Sequence, residues 1–137
     1  MKVTNMPYWL MKSEPDVYGW NNLKADGTAP WTDVRNYQAR NNMKAMKKGD
    51  LVFFYHSNIG REIVGIMEVV KEHYPDSTDP RFVLTDVKCK EAFNKPVTLS
   101  QIKADPRLAN IALIKQSRLS VMPITPEEWA IINKMAE

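Results

Sequence analysis

The stretch Asp50–Asn58, Asp-Leu-Val-Phe-Phe-Tyr-His-Ser-Asn, most constrains what this chain can fold into. It follows a turn signal, Lys48-Gly49-Asp50, and its centre is aliphatic, β-branched or aromatic at every position, so it reads as a strand apolar on both faces. A strand of that kind lies inside a barrel or between layers. Its far end changes character, because Tyr55, His56, Ser57 and Asn58 set a ring, an imidazole, a hydroxyl and an amide where the buried run meets solvent. Such a junction, on a rigid strand at the mouth of a barrel, suits a small-ligand site.

The remaining strands must enclose this one, and the length allows it. A chain of 137 residues, 44% hydrophobic and 26% charged, makes one domain with a core that needs neither disulfides nor a metal. The net charge of +3 is too mild for strong nonspecific polyanion binding, although a locally clustered patch would serve it. The first residues, Met1 to Pro7, lack the apolar run of a signal peptide, and no window approaches a membrane span. A cytoplasmic monomer without a membrane segment is expected. Cys89 is single, and His56 and His73 have no Cys, Asp or Glu at metal-ligand spacing, so neither a zinc site nor another cofactor is expected.

Taken in order, Tyr8–Ser13 reads as a strand ended by Glu14-Pro15. Asp16 is expected to cap a helix through about Lys24, weakened by Gly19, with Val17, Trp20 and Leu23 at helical spacing. A loop from Asp26 to Asp33 holds Trp31. A second helix spans roughly Tyr37 to Met46, with Met43 and Met46 inward and Arg40, Lys44 and Lys47 or Lys48 along another side. Ile59-Gly60-Arg61 is a tight connection to a hairpin arm over Glu62–Val70, continuing to about His73. Tyr74–Pro80 is a loop, and Phe82–Lys90 another strand with Val83, Thr85, Val87 and Cys89 on one side. The chain is then expected to turn helical from Val97, with one helix over Ser100–Asp105 and a second from Pro106 to about Ile114. Arg118–Ile124 reads as the last strand, and Thr125-Pro-Glu-Glu128 as a capping box opening a helix with Trp129, Ile132 and Met135. Hairpins without regular βαβ alternation argue for an α+β fold with a mostly antiparallel, curled sheet.

Polar groups stand where strands end at Lys12-Ser13-Glu14, Arg35-Asn36-Tyr37, Tyr55–Asn58 and Arg118-Leu-Ser120. The segments YWLMKSEP (8–15), PWTDVRNYQARN (30–41), GDLVFFYHSN (49–58), IVGIMEVV (63–70) and SRLSVMPITPEEW (117–129) together resemble the EVE domain family, in order, from about residue 7 to 131. The resemblance implies a PUA-like fold, a curled barrel of five or six strands flanked by helices, in a superfamily shared with YTH and ASCH domains. It also implies binding of a modified base in DNA or RNA, in a pocket that by motif match draws on Ser13, Trp31, Asn36, Tyr37, Tyr55, His56, Ser57 and Ser120. One departure stands out: the loop at 74–81 is shorter than in a nuclear member of the family, and Phe82 stands where a Trp is expected.

The residues support such a site for their own reasons. An unstacked base offers two flat faces and a hydrogen-bonding edge, which Trp31, Tyr37 and Tyr55 on one side and Ser13, Asn36, His56 and Ser57 on the other suit. Each also has a plainer reading. Trp9, Trp20 and Trp129 read as core; Trp31 could plug the barrel end, His56 could be a satisfied structural histidine, and Asn36 could simply cap a helix. Arg40 and Lys44, with Arg35 and Arg61, would track a phosphate backbone or form an ordinary solvated face. Three functions therefore stay open: a non-catalytic reader, a hydrolase of modified nucleosides, and a protein-interaction module. Lys12 and Ser13 alternate on a strand and would not both face one ligand, which argues against the hydrolase.

Overall fold

Six strands make one mixed sheet in the order β2-β5-β4-β3-β1-β6, seen in a computed structural model that describes residues 8–137. The strands are β1 (Tyr8–Ser13), β2 (Thr28–Pro30), β3 (Leu51–His56), β4 (Glu62–Pro75), β5 (Val83–Thr98) and β6 (Val121–Pro123). The helices are α1 (Pro15–Tyr18), α2 (Trp20–Asp26), α3 (Tyr37–Ala45), α4 (Leu99–Ala104), α5 (Ala112–Lys115) and α6 (Pro126–Met135), with a single 3-10 turn at Pro106–Leu108. The first seven residues, and with them the reading that no signal peptide is present, lie outside the described residues.

β1 and β3 run parallel and every other pair is antiparallel, so the expectation of a mostly antiparallel α+β sheet holds. The sheet is curled and barrel-like without closing, since β2 and β6 are its two edges. Register shifts supply the curl. The β4–β5 pairing slips at four places, and each extra residue bends and twists its strand.

β3 sits in the middle, and both its faces are covered. On one, Phe53 stacks on Trp129 with centroids 3.9 Å apart and meets Phe93 edge-on, while Trp129 also stacks on Tyr8 at 4.5 Å. On the other, Phe54 takes Trp20, Trp31 and His56 edge-on at 5.4 to 5.5 Å. Edge-to-face contact is the favoured approach for such rings. Burial of each ring contributes roughly 1.5–3 kcal/mol, so these two clusters anchor the fold. The turn before β3 is held by Asp50, whose carboxylate accepts from the Trp9 indole and the Lys47 amide, both at 2.9 Å. Met43 and Met46 point inward, as the helical spacing requires.

Several boundaries move. Gly19, extended at φ −97°, divides the first helix in two, so Asp16 lies within the first turn of α1 rather than capping it. The Asp26–Asp33 loop contains β2, which pairs with β5 over three residues. β4 runs on to Pro75 and β5 to Thr98, because the two arms pair with each other beyond the core, and the helical region starts only at Leu99. The expected helix from Pro106 to Ile114 is the 3-10 turn, with Asp105 accepting from the Arg107 amide, followed by the short α5. The last strand is confined to Val121–Pro123. The capping box at Thr125 and Glu128 is formed on both sides.

Candidate nucleic-acid interface

The parallel register of β1 and β3 sets Ser13 beside His56, and their C-terminal ends finish together. The Ser57 amide donates to the Ser13 carbonyl and the Lys12 amide to the Ser120 carbonyl, both at 2.9 Å. Ser13, His56, Ser57 and Ser120 are thus gathered at one end of the sheet. Two of them already have internal partners. The Ser13 hydroxyl donates to the Tyr18 carbonyl at 2.6 Å, and His56 Nε2 accepts from the Trp20 amide at 3.1 Å. Burial lowers the proton affinity of His56, with Glu62 opposing, which suits an imidazole whose Nε2 must stay unprotonated to accept.

The rings divide. Trp31 is buried against Phe54, and its amide donates to the Thr85 carbonyl. Tyr55 follows Phe54 in β3, whose register with β1 is unbroken although its pairing with β4 slips between the two residues, and it turns to the opposite face, where it is 3% exposed with the Lys12 ammonium 5.8 Å from its ring. A clamp of one base between Trp31 and Tyr55 is therefore not the arrangement. Burial pushes the Tyr55 hydroxyl up, and the charge of Arg61 pulls it back.

The accessible aromatic is Tyr37, 52% exposed at the start of α3. Asn36 caps that helix through the Ala39 amide at 2.9 Å, so its plainer role is real, while its residue stays exposed. Tyr37 stacks on Phe82 at 5.2 Å, and the Arg40 guanidinium lies 4.8 Å from the Tyr37 centroid. Arg35 and Arg81 lie 5.3 and 5.9 Å from the Phe82 centroid. This is a ridge of guanidinium groups held by aromatic planes. Arg35 is tied to Asp76 at 3.2 Å and to Thr78, and Arg40 donates to the Arg81 carbonyl, which fixes the 76–82 loop to α3. Hydrogen bonds from Thr78, then from Arg35, hold the Asp76 carboxyl below its usual range. Lys44 is exposed one turn beyond Arg40. Arg61 stands apart in the β3–β4 turn at φ 47°.

Beside the ridge is an open groove of about 340 Å³ lined by Asn36, Gln38, Gln116, Ser117, Arg118 and Leu119. Gln38 Nε2 donates to Gln116 Oε1 at 2.7 Å across it, and Lys12 Nζ holds the Ser117 carbonyl at 2.8 Å. Sequence reasoning noted Arg118 as a strand-end cation and missed Arg81, Gln38, Gln116 and Ser117. A glutamine on a polar helix face carries no signal until its neighbour is known. The lining offers donors, acceptors and one positive charge, a set suited to binding heteroatom-rich ligands. It holds no carboxylate, imidazole or thiol to serve as a base or nucleophile.

Comparison with known proteins agrees with this architecture. The EVE domain model matches residues 7–135. A solved protein from Rhodopseudomonas palustris is 52% identical with a TM-score of 0.90, over 94% of this chain and 92% of that one. Human thymocyte nuclear protein 1, solved in complex with 5-methylcytosine-containing DNA, is 33% identical with a TM-score of 0.86, over 95% of this chain and 97% of that one. At the level of fold alone, an ASCH protein from Zymomonas mobilis has a TM-score of 0.58 at 11% identity, covering 96% of each chain, in keeping with a PUA-like fold. With the family model matched from residue 7 to 135 and a solved relative 52% identical at a TM-score of 0.90, this chain belongs to the EVE domain family.

Proposed function

We propose that this protein is a non-catalytic reader of a modified base carried in DNA or RNA. The observation that carries the reading is the adjacency of two surfaces on the first turn of α3. Asn36 and Gln38 line the polar groove, while Arg35, Tyr37 and Arg40 form the cationic ridge next to it. A ridge of arginines suits phosphates, and a groove of amides suits the base edges of the strand on either side of a modified base. The complex of the human relative with 5-methylcytosine-containing DNA supports the same ligand class here. Ser57 and Ser120, half-buried at the adjoining strand ends, are the remaining polar groups within the same region.

A hydrolase is the weaker reading. The Ser13 hydroxyl is committed to Tyr18, and His56 Nε2 to Trp20, so neither is poised as nucleophile or base. Calorimetric titration with short DNA and RNA oligonucleotides, each carrying one modified base, tests the proposal. One modification is expected to bind more tightly than its unmodified parent, by roughly 10- to 200-fold if a methyl group alone is recognised. Equal affinity for every member of the panel, or turnover of any of them, would contradict it.

A further inference from the structure

The groove has a feature that base recognition alone does not use. Arg118 is exposed on its wall, and among the described residues its guanidinium has neither a hydrogen bond nor an ion pair. Its neighbours are fixed. The Lys12 ammonium pins the Ser117 carbonyl, Leu119 is buried, and the Leu119 amide closes a turn onto the Gln116 carbonyl at 2.9 Å. Arg118 is therefore a free cation on a braced loop. Across the groove stands the Gln38–Gln116 amide pair, whose single 2.7 Å hydrogen bond is open to solvent and readily exchanged for a ligand's. None of the lining residues is acidic.

Those groups match a nucleotide more fully than they match a base. A phosphate needs a cation with several donors in one plane, and a base edge needs a donor and an acceptor side by side. We infer that the groove between α3 and the 116–119 loop seats a nucleotide of the bound strand next to the modified base, with Arg118 on its phosphate and Gln38 with Gln116 on its base edge. This rests on the modified-base reading above and adds to it a second contacted nucleotide, held by the 116–119 loop, of which sequence reasoning singled out only Arg118.

The test pairs two ligands with three proteins. Affinity is measured for the preferred modified nucleoside and for a five-nucleotide strand carrying it, using the parent, Arg118→Ala and Gln38→Ala. Both positions are exposed, and matching thermal melts confirm that the variants fold. Arg118→Ala is expected to weaken strand binding about tenfold, to reduce the slope of log affinity against log salt by about 1, and to leave nucleoside binding unchanged. Gln38→Ala is expected to weaken the strand and spare the nucleoside, with no change in salt slope. In ¹⁵N spectra of the parent, the side-chain amides of Gln38 and Gln116 are expected to shift with the strand and not with the nucleoside. Parent-like strand affinity in Arg118→Ala would overturn the inference while leaving the reader function standing. Equal loss for nucleoside and strand would overturn it too, by placing Arg118 on the base itself. A parent that binds no modified strand overturns both.

Discussion

His56 shows how one side chain can hold a structural post at the edge of a candidate site. Its Nε2 accepts the Trp20 amide, and the Trp20 ring lies over Gly65, where an added Cβ would fall 2.5 Å from the indole and 2.8 Å from the Glu91 carbonyl. Gly65→Ala is therefore expected to cost about 1–3 kcal/mol of stability, measured by urea unfolding, because neither the indole nor the β5 backbone can yield cheaply. Protonation of His56 removes its acceptor. Burial lowers its folded-state value below the unfolded value of about 6.5, so the unfolded chain takes up the proton first. Stability from this group is full above that value and is lost as pH falls through the window down to the lowered folded-state value. Unfolding midpoints between pH 7.5 and 5 should fall in the parent and fall less in His56→Ala; parallel curves would remove His56 as the cause. The chain order alone suggested both a ligand role and a structural role for His56. Only the fold, by placing the start of α2 against the end of β3, decides what its ring nitrogen touches.

At the scale of elements, the legible parts are those whose signals are local. β3 was readable because every central residue is apolar, and α6 because Thr125 and Glu128 exchange hydrogen bonds within one turn. Thr125→Ala should lower stability by about 1 kcal/mol, measured by chemical unfolding, through loss of that cap. The illegible parts depend on distant partners. β2 is three residues long and exists only because β5 offers its edge. The second half of β5, Glu91 to Pro96, mixes polar residues with Ala92, Phe93 and Pro96 and is mostly exposed, so it shows no alternation, and it is held extended by pairing with β4, by Phe93 against Phe53 and by the Lys95 amide on the Ala136 carbonyl. Of the residues the resemblance implies, Ser13, His56, Ser57 and Ser120 lie together at one end of the sheet, since the parallel pairing of β1 with β3 brings those strand ends side by side. The facing of the rings was not readable, because whether Trp31 and Tyr55 share a side depends on which neighbour of Phe54 the loop meets.

For the whole molecule, the consequence is a division of labour across α3. One flank of its first turn meets the 76–82 loop through Tyr37 and Phe82 and forms the arginine ridge, and the other opens onto the groove. With a net charge of only +3, affinity should come from this local cluster rather than from a general field. The most direct measurement compares two oligonucleotides identical except for one modified base, their affinities followed by fluorescence anisotropy across a range of salt. The two should share one salt slope, because their phosphates are the same, while the modified strand binds more tightly at every salt concentration. Identical affinities throughout, for each modification tried, would contradict the account and leave a surface that holds phosphates but reads no base.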